Sequence, residues 1–371
     1  MILRPIASAT SAQPPQKSLD VGIHPNWNAV HARPPPSMLY RKLGQTGLDV
    51  SVISLGSWVT HDYQIGVSEV KTIMQSGYEA GINFFDNAEA YAQGKSEQIM
   101  GQALWELGIP RSDVVLSTKI FFGSSPSPRP TARGLSRKHI VEGMSGSLSR
   151  LNVDHVDVIF AHRFDSSVPM EEIVRGFNHI LDRGWAFYWG TSEWSPAAIE
   201  EAHDVATRLR LIPPCVEQAQ YSVLHRKKVE MEYRNLCLRK GMGLTTFSPL
   251  ACGLLSGKYS PGAPIPEGSR FGVERYKFLA DRWLQEDKIQ AAARLNAMAR
   301  EVGVTSAQLA LAWCISNPSV STVITGATDV SHVKENVGAL SILPSLTPVL
   351  KSRIETAIGS HSGVAMGTQP A

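Results

Sequence analysis

A chain of 371 residues with 43% hydrophobic and 19% charged content has the composition of an ordinary globular protein and enough apolar material for a large core. Its 36 basic and 33 acidic residues leave a net charge of +3 with no long Lys/Arg block, which argues against a nucleic-acid partner. No apolar run approaches the ~20 residues that cross a bilayer, so the chain is expected not to be membrane-embedded. The four cysteines, Cys215, Cys237, Cys252 and Cys314, show neither C-x-x-C nor metal-finger spacing, which fits a reducing, cytoplasmic compartment and no metal site.

In chain order, residues 1–37 are rich in Pro, Ser and Ala and carry Pro14-Pro15 and Pro34-Pro35-Pro36, a pattern read as a disordered leader. The first residues, "MILRPIASATSAQPPQ", are too polar for a signal peptide. Next, "LYRKLGQTGLDVSVI" reads as a hairpin with Gly44 and Gly47 near its turn, placed to plug one mouth of whatever follows. From residue 50 a short apolar run alternates with an amphipathic helical stretch. The strand candidates are 52–55, 83–86, 114–118, 156–161, 186–190, 215–218, 244–247 and 322–325. Most are apolar throughout, as parallel strands buried on both faces should be.

The helices between them have recognisable ends. One buries Val70, Ile73, Met74 and Gly77. Another turns Ile99, Met100, Ala103 and Leu104 inward and stops at Gly108, and a third opens at Ser136. Ser195 precedes Pro196 at a helix start, Thr305 and Gln308 make a capping box, and Asp329 precedes the last helix of the repeat. Eight alternations predict an α/β fold, a (β/α)8 TIM barrel over residues 38–359, with an N-terminal β-hairpin and two extra helices at 285–301 and 348–358. A flexible tail is expected at 360–371. The competing fold, an open doubly wound sheet, lacks its usual sign, because no G-x-G-x-x-G follows the first strand.

In such barrels chemistry lies at the C-terminal strand ends. Here those ends carry Gly56-Ser57-Trp58, then Asp86 and Tyr91, Lys119, His162-Arg163, Ser192-Glu193-Trp194, Gln218, "SPLACGLLSGKY" and "GATDVSHVKEN". Any one of these polar residues is unremarkable where a strand surfaces. The set is not, because an acid, a phenol, a lysine and a histidine fall at three consecutive strand ends. A tyrosine titrates near pH 10 in water and is a poor acid at neutral pH. An adjacent ammonium, here Lys119, lowers that value, Asp86 holds the lysine charged, and His162 donates to the same developing oxyanion. A phenol so placed is a proton donor to a carbonyl oxygen.

These residues, in "FFDNAEAY", "LSTK", "FAHR", "YWGTSEWS", "EQAQY", "FSPLACGLLSGKY" and "GATDVSHVKENVGAL", make the chain resemble the aldo-keto reductases. Within them it most resembles the branch of voltage-gated potassium channel β-subunits and their microbial relatives. The likeness runs from about Met38 to Ile358. It implies bound NADPH/NADP+ and reduction of an aldehyde or ketone, with Tyr91 as general acid, Lys119 and Asp86 tuning it, and His162 orienting the carbonyl. It also implies the cofactor contacts. Ser192 and Gln218 meet the nicotinamide, and Phe247 leads into a loop of Ser248, Pro249, Leu250, Ala251, Cys252 and Gly253 around the pyrophosphate, with Lys258 adding charge. Arg270 meets the adenosine 2′-phosphate. Thr328, His332, Glu335 and Asn336 line the adenine end, and Gly56, Ser57, Trp58, Asp86 and Gly326 complete the set.

Two positions depart from the channel branch: His162, where channel β-subunits usually carry Asn, and Glu193, where they usually carry Arg. The histidine is usual in active reductases and tilts the expectation to an enzyme acting on a small-molecule carbonyl compound. The alternative is an NADPH-binding, β-subunit-like channel regulator with slow turnover, assembling as a homo-oligomer, a tetramer. A non-redox barrel is the third reading. Trp58 and Trp194 are expected beside the substrate, and the Pro/Ser-rich loop at 121–136 is a candidate lid.

Overall fold

A computed structural model describes residues 38–359 except residue 59 and residues 62–64. The leader expected at 1–37 and the tail expected at 360–371 lie outside the described residues.

The hairpin forms from β1 (Tyr40–Lys42) and β2 (Asp49–Ser51), antiparallel with Tyr40 opposite Ser51. The repeat then supplies β3 (Ile53–Gly56), β4 (Phe84–Asp86), β5 (Val115–Ile120), β6 (Val156–Ala161), β7 (Ala186–Ser192), β8 (Val216–Gln220), β9 (Gly243–Phe247) and β10 (Val320–Thr325). All pair in parallel, and β10 pairs with both β9 and β3, so the sheet closes into a barrel. Closure leaves no strand edge to satisfy. Each expected strand is present within a few residues of its expected bounds. Lys119 falls inside β5 rather than after it, since β5 continues to Ile120.

The barrel helices are α1 (Val67–Glu79), α2 (Lys95–Leu107), α3 (Arg137–Leu151), α4 (Met170–Asp182), α5 (Pro196–Leu209) and α6 (Arg234–Lys240). Between β9 and β10 come α7 (Lys277–Trp283), α8 (Glu286–Glu301) and α9 (Ser306–Ile315), and after β10 come α10 (Val330–Gly338) and α11 (Pro348–Ile358). The two expected extra helices are α8 and α11. The short α7 has no counterpart in the sequence reading, because a seven-residue helix is too short to show a periodic face. The capping residues act as expected: the side chains of Ser136, Ser195, Thr305 and Asp329 accept backbone N–H groups of the first turn of α3, α5, α9 and α10. In α2, Ile99 is only half-buried, because Ser96, Glu97 and Gly101 take inward positions beside Met100 and Leu104.

The hairpin closes the N-terminal mouth. Leu43 and Val50 join Phe84, Val115, Val158, Phe160 and Val216 in one buried cluster inside the barrel. Gly44, in the left-handed region at φ 59°, lies so close to the strand ends that a Cβ would stand 2.6 Å from the Cys215 carbonyl oxygen. With this end sealed, access to the barrel interior is from the C-terminal strand ends.

Candidate active site

At that open end lies a cavity of about 1440 Å³. Its floor is set by strand register. Asp86, the last residue of β4, is paired with Ser117 of β5, and the Ser117 hydroxyl donates to Asp86 Oδ1 at 2.7 Å. Two residues on, Lys119 returns to the same face of β5, because side chains alternate along a strand. Its Nζ is 2.5 Å from Asp86 Oδ2 and donates to the Asn87 carbonyl at 2.7 Å. Gln218 of β8 donates to Asp86 Oδ1 across the barrel at 3.0 Å. Tyr91 starts a tight turn, Tyr91–Gly94, in which Ala92 and Gln93 have φ of 47° and 58°. The turn brings the Tyr91 ring over the lysine, with Nζ 4.8 Å from its centroid. His162, directly after β6, meets Tyr91 edge to face at 5.8 Å, and Phe122 does the same to His162 at 5.0 Å.

Charge in this group follows from burial. The Lys119 side chain is fully buried and that of Asp86 nearly so. Burial opposes the ammonium, but the Asp86 carboxylate and the Tyr91 oxygen outweigh it and raise the lysine above its ordinary value. Tyr91 is pushed up by burial and pulled back by Lys119, and the net direction is up. The sequence reading foresaw the pull and not the larger push. The phenol therefore holds its proton at neutral pH, the state a proton donor needs. His162 is driven well below the usual range by burial and by the Lys119 and Arg163 cations, so its ring is neutral. Its Nδ1 is buried without a partner.

The same cavity extends past β9 and β10. Of the residues expected around a cofactor, Gly56, Trp58, Asp86, Ser192, Gln218, Phe247, Ser248, Pro249, Leu250, Cys252, Gly253, Lys258, Arg270, Gly326, Thr328, His332 and Glu335 line it. Ser57, Ala251 and Asn336 are buried behind the wall instead. Ser57 donates to the Asp86 carbonyl at 3.1 Å, and Asn336 leaves its Nδ2 unpaired. The loop after β9 turns through left-handed backbone at Ser248, Ala251, Cys252 and Gly253. At this end two cations stand together: Lys258 is held below its usual range by burial and by the Arg270 charge, against a weaker opposite pull from Glu335. Arg270 Nε is buried with no hydrogen bond. Like charges held side by side with an unused donor suit a phosphate.

The Aldo/keto reductase family model matches residues 52–351. The chain belongs to that family. It is 54% identical over 323 residues to a protein of Arabidopsis thaliana named "Probable voltage-gated potassium channel subunit beta", covering 87% of this chain and 97% of the relative. A protein of the same name from Oryza sativa subsp. japonica is 53% identical over 323 residues, with the same coverage.

Several lining residues of this aldo/keto reductase carried no mark in the sequence. Phe278 and Arg282 are on α7, and Ser269 and Val273 lie in the segment between β9 and that helix. Trp194 corrects the expectation that it stands beside the substrate: it is fully buried against Phe164, with centroids 5.1 Å apart, and only Trp58 lines the cavity. The base of the candidate lid is tied down by the buried Glu89 carboxylate, which accepts from the backbone of Phe121 and Gly123 at 2.8 and 2.9 Å.

Behind Ser192 and Gln218 lies a buried acid that the sequence did not advertise. Glu217 accepts from the Thr191 hydroxyl and the Glu193 backbone N–H, both at 2.5 Å. Glu193, strained at φ 61°, pairs with Lys228 at 2.6 Å. Burial foremost, and the Glu193 charge, raise Glu217 from 4.5 to about 8. Below pH 4.5 it is protonated folded or unfolded; between 4.5 and about 8 only the folded chain keeps the proton, so stability falls as pH rises through that window. Glu217→Gln is expected to flatten this slope, removing a loss of the order of a few kcal/mol. Urea melts at several pH values check it, and parallel slopes for the two proteins would show that Glu217 does not titrate in this range.

Proposed function

We propose that this aldo/keto reductase is an NADPH-dependent carbonyl reductase that turns an aldehyde or ketone into the alcohol. The reading is carried by one observation: a buried 2.5 Å Asp86–Lys119 pair lies under the Tyr91 ring, with His162 edge-on to that ring, at the floor of a large cavity. NADPH, when bound, supplies the hydride that goes to the carbonyl carbon. The residues fit such a group, since Lys258 and Arg270 offer paired positive charge for phosphate, and Ser192 and Gln218 line the same cavity with polar side chains. Tyr91 gives its proton to the carbonyl oxygen. Lys119 stabilises the phenolate left behind, and Asp86 keeps Lys119 charged. His162, neutral, has an N–H to donate to the same oxygen and so orients it.

The first test is alcohol formation from an aromatic aldehyde by the purified protein and NADPH. Cofactor choice is tested by Arg270→Met, which is expected to weaken NADPH binding by roughly 10- to 100-fold, the worth of a charged hydrogen bond to phosphate, and NADH binding by far less. Equal losses for both would remove Arg270 from the 2′-phosphate. A second reading, a β-subunit-like channel regulator, draws on the names of the two plant relatives. NADPH that binds without alcohol appearing would favour it, and co-purification of a tetramer with a channel's cytoplasmic part would be its positive evidence.

A further inference from the structure

We infer, resting on the reductase reading above, that Arg163 anchors the substrate and that the carbonyl compounds taken by this site carry a carboxylate. Arg163 follows His162 and lines the cavity. Its Nη1 donates to the His162 carbonyl and, at 3.3 Å, to the Ser192 hydroxyl. Among the described residues, its Nε and Nη2 donate to nothing, and no carboxylate lies within ion-pair distance of it.

Three other half-buried arginines each have a carboxylate, and Arg41 is held by two backbone carbonyls. Arg111 pairs with Asp157 at 2.6 Å, Arg150 with Glu97 at 2.7 Å, and Arg226 with Glu230 at 2.8 Å. Around the catalytic end Lys119 is matched by Asp86 and Glu193 by Lys228, while Arg282 of the cavity wall donates to the Gln220 side chain. Beside His162, Arg163 is a guanidinium without a carboxylate among the described residues. It lies 5.9 Å over the Phe122 ring, whose edge contact with His162 keeps all three side chains at one mouth. Its charge reaches both His162 and Tyr91.

A partly desolvated cation without a counterion is unfavourable, and a ligand anion relieves it. A guanidinium with two free nitrogens matches the planar, bidentate carboxylate. A phosphate dianion is better served at the far end, by Lys258 with Arg270. Because Phe122 lies between the Arg163 guanidinium and His162, the carboxylate must lie within about one ring's width of the carbonyl, as in a formylbenzoate.

Calorimetric binding of para-hydroxymethylbenzoate against the matching benzamide tests this without turnover. The wild type is expected to bind the benzoate roughly tenfold more tightly or better, Arg163→Met to lose that preference, and Arg163→Lys to keep part of it. No preference in the wild type, or one that survives in Arg163→Met, overturns the assignment. In parallel, the ratio of kcat/KM for para-formylbenzoate over para-formylbenzamide should fall about tenfold in Arg163→Met, through KM. Reduction of neither aldehyde by the wild type would sink the reductase reading alone, because the binding pair still judges Arg163. Arg163→Lys keeps a cation at the site, so a folding defect in the methionine variant does not silence the test.

Discussion

A Tyr91→Phe protein is expected to lose carbonyl reduction by 10²- to 10⁴-fold in kcat, the range for removing a positioned general acid, while binding NADPH as before. The substitution deletes one oxygen. The ring that meets His162 at 5.8 Å and covers Lys119 at 4.8 Å stays, so the cavity keeps its shape. The loss should fall on kcat, because proton transfer belongs to the transition state and contributes little to ground-state binding. Fluorescence titration with NADPH and steady-state kinetics on the same preparation separate the two. A variant with the full wild-type rate would move the proton donor elsewhere, His162 being the nearest candidate.

Lys119→Met is expected to damage both folding and chemistry. The lysine has no solvent contact, and it leaves behind an Asp86 carboxylate whose remaining side-chain donors are Ser117 and Gln218. Breaking a buried pair from one side costs about 3–5 kcal/mol. The chemical effect is separate: Tyr91 loses the cation that offsets its burial, its proton is held more tightly, and reduction slows. A double variant, Lys119→Met with Asp86→Leu, removes both charges and should recover much of the stability without the activity. Denaturant melts and kinetics on the two singles and the double form a cycle. Full recovery of activity in the double variant would mean that the pair is structural and does not tune the tyrosine.

The barrel was legible because its signal is local and repeated. Eight apolar runs between capped helices appear in the chain itself, and Ser136, Ser195, Thr305 and Asp329 announce helix starts by chemistry confined to one turn. The convergence of the four candidate residues was legible for a related reason. A strand end has a fixed place in this fold, so Asp86, Tyr91, Lys119 and His162 converge once the strands are known.

What the chain by itself determined about this protein is its rhythm and its polar strand ends, since both depend on residues a few positions apart. What only the tertiary structure decided depends on which distant groups share a dry space. Burial outweighs Lys119 and leaves Tyr91 protonated, a balance that no spacing encodes. Glu89, Glu97 and Glu217 look like surface acids in the sequence and are buried, each held by partners sixteen or more positions away. Trp194 and Trp58 have the same standing at their strand ends, yet one is core and the other lines the cavity. Arg163 looks like one more basic residue until closure of the barrel matches the neighbouring charges and leaves it without an anion. Desolvation and charge pairing act through space over a few ångströms, and the folded chain alone sets those distances.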